Sequence, residues 1–436
     1  MEWYVFLPVF ILALIVVLLL RIPVAWGLFA IGIVSSLFIF GNLEAVSTLL
    51  GLSVISSVNS FTFSAIPLFI LMGEILFRSR IAQDALAEIS LLMRRIPGRL
   101  PMVTVAGGAA FGLLSGSSLA TTALFTRTLL PQMTKAGYDP KLSAGSILAS
   151  SGLAMVLPPT ALGILWGGIA QVPIGPLLMA GIIPGLLMAV GYVVIVLFKS
   201  RGEKAHDNET VPVRNASEVV QGFFRNLLIP GVLAFVILAI IFFGIATPTE
   251  SAAIGATASL IIAMVIGRLP LRELLNACLS SARITASIFI LVMASTLYSQ
   301  IMAYMGATQG LVAWVSESVT NGVLMLFLVI MLLVLLSAFI DQASIMLITA
   351  PLLMPIAAGF GWDPIWFSIL VLVTLQIGNI SPPFGMSLFV MKGVAPWLSL
   401  PMLYRAAMPW IISDLVIILL LVLFPWLVLA VPSLMG

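Results

Sequence analysis

The chain has 436 residues, of which 61% are hydrophobic and only 8% are charged, with a formal net charge of +3. A soluble domain carries roughly a quarter charged residues, so this composition excludes a soluble globular protein and indicates a polytopic membrane protein. The single cysteine, Cys278, excludes a disulfide framework and a cysteine-based metal cluster. The single histidine, His206, lies in a polar stretch, which leaves no histidine for chemistry inside the membrane.

About ten apolar runs are long enough to cross a bilayer core of about 30 Å. They lie near residues 4–20, 23–41, 60–77, 142–171, 175–198, 226–245, 250–267, 284–303, 365–391 and 406–430. Two further apolar regions, 101–133 and 322–356, are interrupted at their centres. Each arm of roughly 12–15 residues is too short to cross, so we expect two re-entrant helical hairpins there. Open backbone at that depth is tolerated only where it is buried in protein or lines a cavity.

Residues 131–159 and 355–383 share one pattern of Pro, Gly and Asp residues, offset by 224 positions. The Pro, Gly and Asp positions that the two segments share align without a gap: Pro131 with Pro355, Gly137 with Gly361, Asp139 with Asp363, Pro140 with Pro364, and Pro158-Pro159 with Pro382-Pro383. A duplicated, proline-broken membrane segment predicts a secondary transporter, whose substrate site forms where the helices are interrupted.

The basic residues orient the chain. With the N-terminus outside, 18 of the 19 Lys and Arg residues fall in cytoplasmic loops, and Arg127 is the exception. Segment 78–100 holds five arginines, whereas its counterpart 302–324 holds none. The two repeats are therefore predicted to be inverted, with one hairpin entering from each side and both termini periplasmic. Segments 80–97 and 268–283 have mixed faces and fit either surface arms or solvated connecting helices.

The first hairpin tip, residues 111–122, reads FGLLSGSSLATT. Gly116 permits a reversal, and hydroxyl oxygens come from Ser115, Ser117, Ser118, Thr121 and Thr122. Pro158-Pro159 in the paired helix frees carbonyls around residues 155–157, because proline has no N–H to donate. Such oxygens suit a dehydrated Na⁺. The alternative is that the small residues only permit close helix packing.

In the second tip, Asp341-Gln342 aligns with Ser117-Ser118. A carboxylate inside an uncharged membrane stretch indicates a functional site, and its partner is either a cation or a helix N-terminus that it caps. The facing break, residues 376–385, offers Gly378, Asn379 and Ser381. Because each hairpin's second arm begins at its tip, two helix N-termini should converge and favour an anionic group.

Six motifs carry a family likeness over nearly the whole chain. In order they are SGSSLATT, PQMTKAGYDP, VLPPT, GIATPTESAA, FIDQASIM and NISPPFG. Together they resemble the large membrane subunit of tripartite ATP-independent periplasmic (TRAP) transporters. The resemblance implies an all-α, inverted-repeat, elevator-type importer, driven by Na⁺, in the bacterial inner membrane. The implied substrate is an organic anion of the carboxylate or sialic acid class. The implied partners are a separate four-span small membrane subunit and a periplasmic substrate-binding protein.

The motifs and the resemblance together give the expected site, with about two Na⁺ sites and no organic cofactor. The expected Na⁺ ligands are Ser115, Ser117, Gly152, Met155, Leu157, Pro158, Asp341, Gly378, Asn379 and Ser381. The expected substrate contacts are Ser118, Thr121, Thr160, Gln342, Ser344 and Phe384. Gly152 fits the glycine of the family's first break only loosely, and Ser381 stands where the family often has threonine.

The whole chain, 1–436, is expected to form one membrane domain. Its expected parts are scaffold helices 1–57, transport repeat 58–172, scaffold helices and linker 173–283, transport repeat 284–395 and a scaffold helix 396–436. One alternative is a stand-alone inverted-repeat ion or anion transporter that needs no binding protein. An intramembrane enzyme is disfavoured, because no histidine lies in the membrane and no second membrane carboxylate aligns with Asp341.

Overall fold

The computed structural model describes residues 2–20, 22–93, 96, 98–115, 118–201, 222–266, 269–337, 339–383 and 385–435. The described residues form helices and no strand, which confirms the all-α class. We label the α-helices in chain order: α1 Trp3–Leu19, α2 Val24–Phe40, α3 Leu43–Val58, α4 Ala65–Arg78, α5 Ile81–Leu92, α6 Arg99–Ser115, α7 Ser118–Thr128, α8 Leu130–Lys135, α9 Pro140–Val156, α10 Ala161–Ala170, α11 Ile174–Ala180, α12 Ile182–Ser200, α13 Ile229–Phe242, α14 Pro248–Val265, α15 Leu271–Tyr304, α16 Ala307–Ser318, α17 Gly322–Ser337, α18 Gln342–Gly359, α19 Pro364–Ile380, α20 Met386–Val394, α21 Leu400–Leu423 and α22 Trp426–Leu429.

Six helical segments in the described part of the chain are long and apolar enough to cross a membrane. The count becomes seven if α9 and α10, which are bent by 44° at their break, form one span. Several expected spans correspond to apolar helices of only 10–17 residues, such as α2 and α19. The expected number of about ten full spans is therefore not confirmed.

The 224-residue register extends beyond the shared prolines to the helices themselves. Helices α9 and α19 start and end at equivalent positions, Pro140–Val156 and Pro364–Ile380. Helices α7 and α18 also start at equivalent residues, Ser118 and Gln342. The bond between the paired prolines is cis in both repeats. Two copies of one helical unit thus make up much of the chain.

Local hydrogen bonding explains the repeated Gly-aromatic-Asp-Pro sequence before α9 and α19. Gly137 and Gly361 have φ of +80° and +69°, the left-handed conformation that ends a helix without a side-chain penalty. The N-cap of the following helix comes two residues later, where the Asp139 carboxylate accepts from Lys141 N at 2.9 Å. The Asp363 carboxylate likewise accepts from Trp366 N at 2.9 Å. Both aspartates are N-caps, and the following proline suits the first helical position.

Glycines bring α6 against the backbone of α9. A Cβ added at Gly112 would lie 2.8 Å from Ala154 Cα, and one at Gly108 would overlap the Ser150 carbonyl. In the second repeat Gly378 of α19 lies equally close to Ser337 of α17. Small residues therefore allow close helix packing within both repeats.

The repeats also pack on each other reciprocally. Helix α7 of the first repeat contacts α20 of the second, and α18 of the second contacts α10 of the first. Helices α10 and α20 are themselves equivalent, since each follows the paired prolines. Reciprocal contacts of this kind arise when two copies are related by a two-fold axis. Helices α12 and α21 pack on each other, and both contact α9.

The remaining helices differ from expectation in three places. Helices α3 and α16 were not predicted as elements of their own. Segment 268–283 was expected to be a separate surface or connecting helix, but from Leu271 onward it is continuous with the next span in the 34-residue helix α15. That helix contacts α2, α3 and α4. Side-chain hydrogen bonds tie it to α3, from Ser53 Oγ to Gln300 Oε1 at 2.6 Å and from Ser57 Oγ to Thr296 Oγ1 at 2.8 Å. Helix α14 begins with a capping box formed by Thr247 and Glu250.

Candidate functional site at the two hairpin tips

The N-termini of α7 and α18 open onto the same cavity, which has a volume of about 260 Å³. Residues 118–120 of the first hairpin and 341–343 of the second line it. The other lining residues are Ile70, Gly73, Glu74, Phe77, Ala161, Leu162, Ile284, Ile288, Asn379 and Met386. The expected convergence of two helix N-termini is thus present, with equivalent residues of the two repeats contributing to one site.

Asn379 connects three helices at the edge of this cavity. Its amide Nδ2 donates to Ser387 Oγ at 2.8 Å and lies 3.4 Å from Ser118 Oγ. Thr122 Oγ1 lies 3.3 Å from the same Ser387 hydroxyl. Asn379 is only 2% exposed, and its Oδ1 has no hydrogen-bond partner. A buried amide oxygen that is left unpaired costs free energy, so this atom is ready to accept from a bound ligand.

Asp341 is the N-cap of α18. Its carboxylate accepts from Ser344 N at 2.9 Å and from the Ser344 hydroxyl at 2.5 Å. Of the two partners expected for Asp341, a cation or a helix N-terminus, the helix N-terminus is therefore present. A carboxylate has about four acceptor positions, so the two bonds leave capacity for a cation. The next residue, Gln342, lines the cavity and has a buried Nε2 without a partner.

Several oxygen atoms at the proline break after α19 already form hydrogen bonds within the break itself. Ser381 Oγ donates to Ile377 O at 2.7 Å, and Ser381 N donates to Gly378 O at 3.1 Å. The Ser381 carbonyl accepts from Gly385 N at 3.0 Å. Ser381 and Gly378 lie within two residues of Asn379 along the chain, but the cavity lining includes Asn379 and neither of them.

The break after α9 contributes less to this cavity than expected. Gly152, Met155, Leu157 and Pro158 are all described and buried, and none of them lines it. Gly152 instead packs against Gln376, and Leu157 packs against Gly185. Their assignment as Na⁺ ligands remains a prediction. The two breaks differ in side-chain chemistry, because the polar residues Asn379 and Ser381 of the second repeat correspond to the apolar residues Met155 and Leu157 of the first.

The expected substrate contacts divide into four groups. Ser118 and Gln342 line the cavity, whereas Thr121 and Thr160 are buried outside its lining. Thr160 is the N-cap of α10. Ser344 lines a neighbouring cavity of about 440 Å³ on the other side of Asp341. Phe384, together with Ser117 and the side chain of Ser115, lies outside the described residues.

Charge at the cavity is negative. Its described lining includes the carboxylates of Glu74 and Asp341 and no Lys or Arg side chain. Glu74 pairs with Arg78 at 3.0 Å, and the same guanidinium pairs with Glu273 of α15 at 3.0 Å. An anion entering this cavity would therefore meet helix N-termini and amide groups rather than a basic side chain.

The sequence analysis missed a second buried membrane carboxylate, Asp414 of α21, which accepts from the Tyr192 hydroxyl at 2.7 Å. The signal was a single Asp inside the apolar run 406–430. Asp414 is fully buried and lies outside the described lining of the cavity between the tips.

These features define a class of protein. Two copies of one helical unit, each broken near its middle, place equivalent helix N-termini at a shared cavity, which is the architecture of secondary transporters. Residues 11–427 match the family described as the tripartite ATP-independent periplasmic transporter, DctM component. The chain belongs to this family, as its motifs had indicated, and it is a multi-pass protein of the inner membrane.

Named relatives align over most of their length. The C4-dicarboxylate TRAP transporter large permease protein DctM of Rhodobacter capsulatus is 28% identical, over 97% of this chain and 98% of its own. The sialic acid TRAP transporter large permease protein SiaM of Vibrio cholerae is 28% identical, over 87% of this chain and 88% of its own. Among solved structures, the YdaH transporter of Alcanivorax borkumensis superposes with a TM-score of 0.66. That match has 16% identity and covers 89% of this chain and 90% of YdaH, so it supports the fold alone.

Proposed function

We propose that this chain is the membrane subunit that carries a small organic anion across the inner membrane, together with Na⁺, after a periplasmic binding protein delivers it. The observation that carries the proposal is the shared cavity at the two tips, where the N-termini of α7 and α18 meet. Helix N-termini attract carboxylates. Two side-chain atoms without a hydrogen-bond partner add an acceptor, Asn379 Oδ1, and a donor, Gln342 Nε2.

The charge balance of the cavity supports coupling to a cation. An organic anion would enter a site that already holds the Asp341 and Glu74 carboxylates and no basic side chain among its described lining residues. Like charges that are shielded from water repel one another strongly, because the effective dielectric constant is low. A co-bound Na⁺ beside Asp341 would offset that repulsion, so the anion and Na⁺ would each improve binding of the other.

The movement proposed for transport is an elevator motion of the two repeats. The reciprocal contacts of α7 with α20 and of α18 with α10 join the two tips into one packed unit around the cavity. A unit packed in this way moves more readily as one body than by separation of its halves. The relatives named for C4-dicarboxylates and for sialic acid suggest these two substrate classes for the first tests. A small membrane subunit, fused or separate, completes the proposed assembly.

Uptake into proteoliposomes tests the proposal. The chain is reconstituted with its small subunit, and the binding protein is added outside with radiolabelled succinate or N-acetylneuraminate. We expect uptake that requires both the binding protein and an inward Na⁺ gradient, with K⁺ as the matched control cation. Equal uptake without a binding protein would support the stand-alone transporter instead. Uptake that ignores the Na⁺ gradient would refute the coupling.

A further inference from the structure

A carboxyl group is buried among uncharged groups away from the tip cavity. Asp414 lies in α21 and has no exposed surface. The Tyr192 hydroxyl of α12 donates to its Oδ1 at 2.7 Å, while Oδ2 is buried without a hydrogen-bond partner. The two residues are 222 positions apart in sequence, so this bond joins two helices that are distant along the chain.

Among the described residues, no Lys or Arg forms an ion pair with this carboxyl. Helix α19 has no basic residue, and α9 has only Lys141 in its first turn. Helix α20, which also contacts α21, has Lys392, whose Nζ donates to Pro396 O and Leu398 O. In α21 the nearest basic residue is Arg405, nine positions before Asp414, or about 13 Å along the helix axis. In α12 it is Lys199, seven positions after Tyr192 and about 10 Å along the axis. The titratable group that faces Asp414 is Tyr192 itself.

The neighbouring polar groups are neutral. The Gln376 carboxamide of α19 lies close to the Tyr192 hydroxyl, and both of its polar atoms are buried without a firm hydrogen bond. The Trp410 ring, one turn before Asp414, packs edge-on against Tyr192 with ring centroids 5.4 Å apart. An ionised carboxylate in this setting would have one hydrogen bond and no counter-ion, which is strongly unfavourable inside a membrane protein.

We propose that Asp414 is a proton-binding site, with the proton carried on Oδ2 while Tyr192 holds Oδ1. A bound proton removes the charge and turns the unpartnered Oδ2 from an orphaned acceptor into a donor. The site is separate from the proposed Na⁺ and anion sites. It nevertheless lies close to them, because Gln376 precedes the cavity residue Asn379 by one turn of α19.

Infrared spectroscopy of the purified full-length chain tests this directly. Wild type at neutral pH should show the carbonyl stretch of a protonated carboxyl group, and Asp414→Asn should lose that band. Asparagine has the same shape and keeps an acceptor for Tyr192, so the variant should fold. Tyr192→Phe removes the hydrogen bond to Oδ1, and the band should shift in frequency without disappearing.

Glu74→Gln is the matched control, because Glu74 also lies in a membrane helix but is paired with Arg78 at 3.0 Å. This variant should leave the protonated-carboxyl band unchanged. A band of equal intensity in wild type and Asp414→Asn would overturn the proposal. If Asp414→Asn fails to fold, an unshifted band in Tyr192→Phe still refutes the assignment.

Discussion

Gly152 and Gln376 occupy equivalent positions of the two repeats, 224 residues apart, and they lie against each other between α9 and α19. A Cβ added at Gly152 would overlap the Gln376 carboxamide. When a residue touches its own equivalent, the two-fold axis that relates the copies passes between them. One copy therefore has no side chain at this position, because the other copy fills the shared space with a long one.

This contact predicts that Gly152→Ala destabilises the protein. Gln376 is fully buried, so its carboxamide cannot move aside without disturbing its neighbours. Overpacking of this kind costs about 1–3 kcal/mol in free energy of unfolding. The midpoint of thermal unfolding in detergent measures the loss. Gly231→Ala is the control, since a Cβ there meets nothing within 4 Å.

A second substitution separates this packing effect from a role in Na⁺ binding. Shortening the opposing side chain with Gln376→Ala should restore much of the stability that Gly152→Ala loses, so the two changes should be non-additive. Additive losses would show that the two side chains do not compete for the same space.

The sequence predicted the repeat register, the two tips and the helix caps because each rests on local chemistry. Proline, glycine and aspartate act on the backbone next to them, so capping by Asp341 could be read from its neighbours alone. The Gly152–Gln376 contact and the Tyr192–Asp414 bond depend on how distant helices pack. Helix α3 was missed for a related reason, since its serines reduce its apolar signal while they bond to α15.

The network around Asn379 predicts a loss of transport in Asn379→Ala. The substitution removes the donor to Ser387 and the polar side chain of a residue that lines the cavity. We expect initial uptake to fall by roughly tenfold or more, the equivalent of about 1.4 kcal/mol, while the protein still reaches the membrane. Thr374→Ala is the matched control, because that hydroxyl bonds only to Leu370 O within the same helix, α19. Equal uptake by both variants would remove Asn379 from the site.

Asp341→Asn separates capping from cation binding. Asparagine caps a helix about as well as aspartate does, so the fold and the start of α18 should persist. If the carboxylate also binds Na⁺, the half-saturating Na⁺ concentration for uptake should rise by roughly tenfold or more. Asp363→Asn makes the same change at the cap of α19, where the aspartate accepts from Ile365 N at 2.8 Å, and should leave Na⁺ dependence unchanged. An unchanged Na⁺ dependence in Asp341→Asn would reduce its role to capping.

Gly385 predicts that the proline break after α19 tolerates no side chain at its far end. A Cβ there would lie 2.7 Å from Asn379 O and 2.8 Å from Ser381 O, which are backbone atoms that cannot rotate away. Gly385→Ala must therefore displace the break itself, together with the adjoining Asn379 that lines the cavity. We expect a lower unfolding temperature, by the equivalent of about 1–3 kcal/mol, and a loss of uptake. Gly393→Ala in the same helix, α20, meets nothing within 4 Å and should behave as wild type. Because the two variants add the same methyl group to one short helix, a difference between them can come only from the backbone that surrounds Gly385.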